Sequence, residues 1–315
     1  MRTLLTALFL LATVLPVRGQ SSDLVEMIYR EGMENSQVVD LAQYLADVVG
    51  PRLTGSPGHE RAIDWAMAQF SNWGIDSRRE AQGTWRSWER GLVSLDLVEP
   101  RLRSLEGQLL SWSPGTNGSV EGGVILLPDL RGAEQFRNWL PMAQGKFVLL
   151  SPYEPSCRPA DVWESYGGAA ARSRFEAARK ESQQAWASRV GKLGLTNQEI
   201  IDELEAAGVA GFFTNLWTGE RGTDRVFPLA YSFRGAMNHR AAAFNLSCED
   251  YGLLFRLASR GQGPLVRAYG EATDLGENPA HNLVAVIPGT ELPDEYVVLS
   301  AHFDAWDGSS DMTDN

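Results

Sequence analysis

Cysteine is almost absent: Cys157 and Cys248 are the only two in 315 residues. So few cannot form a disulfide scaffold, and neither stands in a CxxC, which argues against a cysteine-based metal site. Whether the two pair stays open, because pairing depends on where they meet in space. Histidine is scarce as well, at four residues, so an imidazole site has few places to be built. Neither a repeat nor a long run of one charge occurs. With 43% hydrophobic and 22% charged residues, global disorder is excluded and a buried core, in more than one domain, is expected. Acids outnumber bases to a net charge of −12, and clustered cations are missing, so nucleic acid is not a partner. The acidity reads as solubility.

The one long apolar run lies at the start. Arg2 precedes Leu4 to Leu15, Pro16 breaks the run, and Val17 and Gly19 stand at −3 and −1 of a cleavage before Gln20. The run falls short of the about 20 residues a membrane span needs. Residues 1–19 are therefore read as a secretory signal peptide, with an uncleaved anchor as the other reading. The expectation is a secreted or periplasmic protein with no membrane span after cleavage. Two glycosylation sequons occur, Asn117-Gly-Ser and Asn245-Leu-Ser.

What is present suggests an α/β chain. Helices are expected over 24–34 and 37–49, the second capped by Ser36 and ended by Gly50-Pro51. A third starts at Ser56-Pro57, carries Ile63, Ala66, Met67, Phe70 and Trp73 on one face, and closes at Gly74. Residues 52–58, Arg-Leu-Thr-Gly-Ser-Pro-Gly, make the turn between the last two helices. A half-buried strand is expected over 85–98. From about 111 to 267, short apolar runs at 123–127, 146–151 and 209–214 alternate with Gly, Pro and Asn, and suit strands buried on both faces. Thr196 and Glu199 form a capping box ahead of a helix that buries Ile200, Ile201 and Leu204. Residues 165–190 read as a solvated helix. The ten tryptophans are scattered, which suggests packing rather than a carbohydrate-binding face. Strands are expected again at 282–287 and 295–301.

The chemistry gathers at the end of that last strand. His302 can offer a neutral ring nitrogen to a metal, and Asp304, two residues on, faces the same way on a strand and can hold the other nitrogen. A further carboxylate on the following loop can bridge two metal ions about 3.5–4 Å apart, an arrangement that activates water for attack on a peptide carbonyl. His59, His239 and His281 read as structural or solvated.

The stretches 281–289 (HNLVAVIPG), 296–307 (YVVLSAHFDAWD) and 313–315 (TDN), together with 52–58, resemble the M28 family of metallopeptidases. The resemblance is closest to the family's secreted aminopeptidases and carboxypeptidases. It implies an α/β mixed-sheet zinc-exopeptidase core with an inserted α+β protease-associated domain. The expected boundaries are a signal peptide at 1–19, the N-terminal part of the peptidase domain at 20–110, the insertion at 111–268, and the start of the metal-binding core at 269–315. It also implies two Zn2+ ions and peptide substrates, and leaves the oligomeric state open, a homodimer included. Residue by residue, His302 matches a zinc ligand, Asp304 the aspartate that orients it, and Asp314 the aspartate that bridges both zinc ions. The loop before Asp314 departs from the family in carrying Asp311-Met312 instead of small residues.

The general-base glutamate and the remaining ligands of the family follow its Asp-Asn pair, which here is Asp314-Asn315. The competing expectation is a non-catalytic secreted binding protein on the same scaffold. Residues 20–315 alone are expected to be poorly soluble and to lack peptidase activity. Zinc-dependent release of an amino acid by that purified segment is the result that would contradict this.

Overall fold

The computed structural model describes residues 21–219, 228–229 and 238–305. They fall into two compact units, the first running up to Tyr44 and the second from Leu45 onward. The first holds α1 (Ser21–Glu34) and α2 (Val38–Gln43). Most apolar residues of α1, including Leu24, Ile28 and Met33, are exposed.

The helix expected over 37–49 is α-helical only as far as Gln43. Tyr44–Val49 is a π-helical turn. The Gly50 N–H donates to the Leu45 carbonyl at 2.9 Å, and Arg52 Nη1 donates to the same carbonyl at 3.1 Å. The Leu45 carbonyl therefore accepts from both a backbone and a side-chain donor, using its two lone pairs. Gly50, at φ 75°, then reverses the chain.

α3 (Pro57–Asn72) begins as its sequence dictates. Ser56 Oγ accepts the His59 N–H at 3.2 Å, and Pro57 takes the first helical position. Ala62, Ile63 and Ala66 are buried.

β1 (Asp76–Glu99) and β8 (Leu265–Val286) form a long antiparallel ribbon, from Asp76 opposite Val286 to Glu99 opposite Leu265. Four register shifts interrupt it, and each adds local twist. Between them in sequence come β2 (Arg103–Ser104), β3 (Gly107–Leu109), β4 (Val120–Leu126), β5 (Phe147–Leu149), β6 (Gly211–Thr214) and β7 (Ala243–Leu246). The eight strands lie in the order β2-β1-β8-β4-β5-β6-β7-β3. The β4-β5, β5-β6 and β6-β7 pairs are parallel and the others antiparallel, so the sheet is mixed. β4 pairs with β8 along Val120–Gly123, which hydrogen-bonds the intervening segment to the ribbon.

The parallel strands are covered on both faces, as their unbroken apolar runs suggest. Phe147, Leu149, Phe213 and Phe244 point into one core, which the helix α7 (Cys248–Ser259) closes with Tyr251 and Leu254. Val148 and Phe212 point into the other, with Phe136 from α4 (Gly132–Trp139) and Ile200, Ile201 and Leu204 from α6 (Asn197–Ala206). The capping box of α6 forms, with Glu199 N donating to Thr196 Oγ1 at 3.2 Å and Thr196 N to Glu199 Oε2 at 2.7 Å. α5 (Ala160–Gly191) is long and mostly exposed, and is kinked at Gly168. Cys157 and Cys248 are joined in a disulfide across 91 residues.

One expectation needs correction. Residues 295–301 form no strand. Tyr296, Val297, Val298 and Leu299 are 78–96% exposed. An apolar run becomes a strand only when another strand takes its backbone hydrogen bonds, and no described strand lies against this one. The Asn245 sequon is buried in β7, with its Oδ1 accepting the Leu216 N–H at 2.8 Å, so a glycan has no room there.

Removing the disulfide tests how far it holds the segment between the parallel strands. A 91-residue closure corresponds to about 4–5 kcal/mol in the chain-entropy model. Cys248→Ser is expected to lower unfolding stability by about 2–5 kcal/mol in a denaturant melt. An unchanged midpoint would show the bridge to be energetically idle.

Candidate metal centre

The turn at 52–58 and the segment at 302–305 lie about 250 residues apart in sequence, yet they are bonded to each other. Arg52 is 4% exposed, and its charge is met by carbonyls: Nη1 donates to Leu45 O and Gly50 O at 3.1 Å, and Nε to Phe303 O at 3.3 Å. The Arg52 carbonyl in turn accepts the Ala305 N–H at 3.0 Å. Thr54 Oγ1 donates to Asp304 Oδ2 at 2.6 Å. The Asp304 side chain is therefore held from the turn, and not by strand alternation.

Asp304 then acts on His302. The His302 Nδ1 lies 3.0 Å from the Asp304 carbonyl and 3.2 Å from its Oδ1. Both partners are acceptors, so Nδ1 carries the proton and Nε2 is the nitrogen with the lone pair. Both side chains stay about half exposed, at 51% and 44%.

Tryptophans support the turn from beneath. Trp88 and Trp112 are buried against each other, with Leu53 and Trp85 packed on them. Their indoles are tied down, Trp88 Nε1 to Ser113 O and Trp112 Nε1 to Arg86 O, both at 2.9 Å. Gly58 fits because it has no side chain: a Cβ there would sit 2.1 Å from the Pro51 carbonyl.

The other histidines divide. His59 is buried at the start of α3, with its ring centroid 6.3 Å from that of Phe303. Burial lowers its pKa, against the pull of Glu60 and Asp304 in the other direction. His281, on β8, donates from Nδ1 to Glu60 Oε1 at 3.0 Å and so pins the ribbon to α3. His239 lies in the segment between the parallel strands, its Nδ1 3.5 Å from Glu205. Asp314 lies outside the described residues. Among the described residues no group of three or more His, Cys, Asp or Glu is placed to hold a metal ion. What is present fits a zinc ion as one oriented imidazole with its carboxylate partner. Arg52 and Thr54 had no assigned role in the sequence reading. Their only signal was that 52–58 shared the resemblance.

The similarity of the whole chain decides its kinship. It is 27% identical to carboxypeptidase Q of Bos taurus over 272 residues, which is 86% of this chain and 50% of that protein. This chain is similar to carboxypeptidase Q. The Xenopus laevis protein is 24% identical over 295 residues, 93% of this chain and 55% of the relative. The chain thus spans about half the length of the curated relatives it matches. A solved structure, a peptidase M28 precursor from Shewanella amazonensis SB2B, superposes with a TM-score of 0.59. It covers 92% of this chain and 59% of its own, at 18% identity, so the fold is the M28 peptidase fold. No protein-family model matches the chain.

The tautomer of His302 is open to direct measurement. In nitrogen-detected NMR its ring should favour the Nδ1–H form. Thr54→Val keeps the side-chain shape but removes the hydroxyl that holds Asp304, and should shift the ring toward the Nε2–H form. An unchanged tautomer ratio would mean that Thr54 does not position Asp304.

Proposed function

We propose that this chain is part of a secreted zinc exopeptidase that releases terminal residues from peptides, as an aminopeptidase or dipeptidase. The observation that carries the proposal is the linked set Thr54–Asp304–His302, anchored by Arg52, with Asp304 on His302 Nδ1. Kinship to carboxypeptidase Q supports it independently.

In this reading His302 would hold one of two zinc ions and Asp314 would bridge the pair. Bound zinc supplies Lewis acidity, lowering the pKa of water and polarising a peptide carbonyl. Asp304 accepts the Nδ1 proton, fixes the ring and raises the basicity of the opposite nitrogen. Thr54 keeps that carboxylate from rotating away. The resemblance implies a proton-accepting glutamate that follows the family's Asp-Asn pair.

The domain reading is a leader at 1–19, peptidase residues at 20–110, an inserted protease-associated domain at 111–268, and the metal-binding core from 269. β1 and β8 support the insertion, since they flank the segment like two stems. Export is supported by the leader pattern and by the Cys157–Cys248 disulfide, which suits an oxidising compartment. No helix among the described residues is long and apolar enough to cross a membrane.

The test uses the whole protein: metal content and hydrolysis of aminoacyl and dipeptide substrates, with and without chelator. Two zinc ions lost together with activity are expected. His302→Ala should remove metal. Asp304→Asn should weaken metal affinity by about 10–100-fold, as loss of a ligand's hydrogen-bond partner does. A full-length protein with neither zinc nor hydrolysis would favour a binding protein on this scaffold. Unchanged affinity in Asp304→Asn would end the orienting role.

A further inference from the structure

A second cavity lies in the segment between the parallel strands, and none of its lining residues belongs to the 52–60 or 302–305 cluster. Its volume is about 460 Å³, within the range of roughly 300–1,000 Å³ typical of small-molecule sites. One wall is apolar, built from Leu127, Trp186, Ile200, Ile201 and Leu216.

The opposite wall is polar and built with care. Glu154 is 7% exposed, and both its oxygens accept from Arg179 Nε, at 3.1 and 3.0 Å. Arg179 also donates Nη1 to Thr218 O at 3.3 Å and Nη2 to Trp217 O at 3.2 Å, and its guanidinium lies 5.2 Å from the Trp217 ring centroid. Gly219 makes room for it, since a Cβ there would fall 2.1 Å from Nη1. This pair neutralises itself. A ligand carboxylate placed beside it would have to compete for a guanidinium that is already committed on three sides.

Asn215 is the buried amide of the lining. It is 8% exposed and lines the cavity. Its backbone N–H donates to Ser151 Oγ at 2.9 Å, and its Oδ1 accepts the Trp217 N–H at 3.0 Å. The second bond fixes which end of the amide is oxygen, so Nδ2 is the opposite end. That Nδ2 has no hydrogen-bond partner among the described residues. It is not sealed from solvent, so it can donate to an acceptor inside the cavity.

We propose that this cavity is a binding site for an uncharged, mainly aromatic or aliphatic small molecule whose carbonyl or hydroxyl oxygen accepts from Asn215 Nδ2. The apolar wall takes the body of the molecule. The self-neutralised Glu154–Arg179 pair excludes net charge. The site goes beyond the peptidase reading and stands whether or not that reading does.

The probe is 2-acetylnaphthalene, titrated into the full chain and followed by ligand-observed NMR. Saturable binding is expected. 2-Ethylnaphthalene, which lacks the acceptor, and 2-naphthoate, which adds a charge, should each bind about tenfold more weakly. Ile201→Trp, which fills the apolar wall, should abolish binding. Asn215→Asp keeps the acceptor for the Trp217 N–H but replaces the donor, and should weaken the ketone about tenfold while leaving 2-ethylnaphthalene unchanged. Thermal melts establish that each variant is folded, and Asn215→Asp decides alone if Ile201→Trp is not. The proposal is overturned by absence of saturable binding, by tighter binding of the naphthoate, or by ketone affinity that Asn215→Asp leaves untouched.

Discussion

Hydrogen bonding between Asp76–Glu99 and Leu265–Val286 is the constraint on which the rest of the second unit hangs. The two strands stand about 190 residues apart, so their pairing is costly in chain entropy and must be compensated along its length. The ribbon does this through many successive pairs and through its buried end, where Leu95, Leu97, Val266 and Ala268 enter the core. Once formed, it sets the chain entering β1 and the chain leaving β8 at the same end. α3 precedes Asp76, and the 302–305 segment follows Val286. The turn at 52–58 can therefore meet Phe303, Asp304 and Ala305.

That meeting replaces the mechanism expected from the sequence. His302 and Asp304 are two residues apart, and on a strand they would share a face. The structure orients them without a strand. Thr54 fixes the Asp304 carboxylate, Arg52 clamps the backbone on either side, and the carboxylate then reaches the imidazole. The π-helical turn before Gly50 belongs to the same arrangement, because its Leu45 carbonyl accepts from Arg52. Three of the ten tryptophans, Trp85, Trp88 and Trp112, converge under Leu53 and stiffen the turn. Packing, not ligand recognition, explains those tryptophans.

Elements with local causes were legible in advance. Ser56-Pro57 and the Thr196/Glu199 box start helices through bonds made within one turn, and both helices begin as expected. The runs at 123–127, 146–151 and 209–214 became strands covered on both sides, because unbroken apolar sequence suits no other placement in a mixed sheet. The first part of β1 and the middle of β8 escaped notice. Their residues are largely polar and exposed, and only their mutual pairing makes them strands. Residues 295–301 failed in the opposite direction: their composition is strand-like, but no described strand pairs with them.

The sequence by itself determined the chemistry on offer and the local starts and stops. Histidine, carboxylates and helix caps act through residue type and short spacing. It also carried the kinship, because the motifs at 52–58 and 281–307 can be read without coordinates. Only the tertiary structure decided which groups meet: Thr54 with Asp304, Cys157 with Cys248, Asn215 with its cavity. The reason is physical. A contact across 91 or 250 residues depends on the path of everything between its partners, and no local propensity encodes that path.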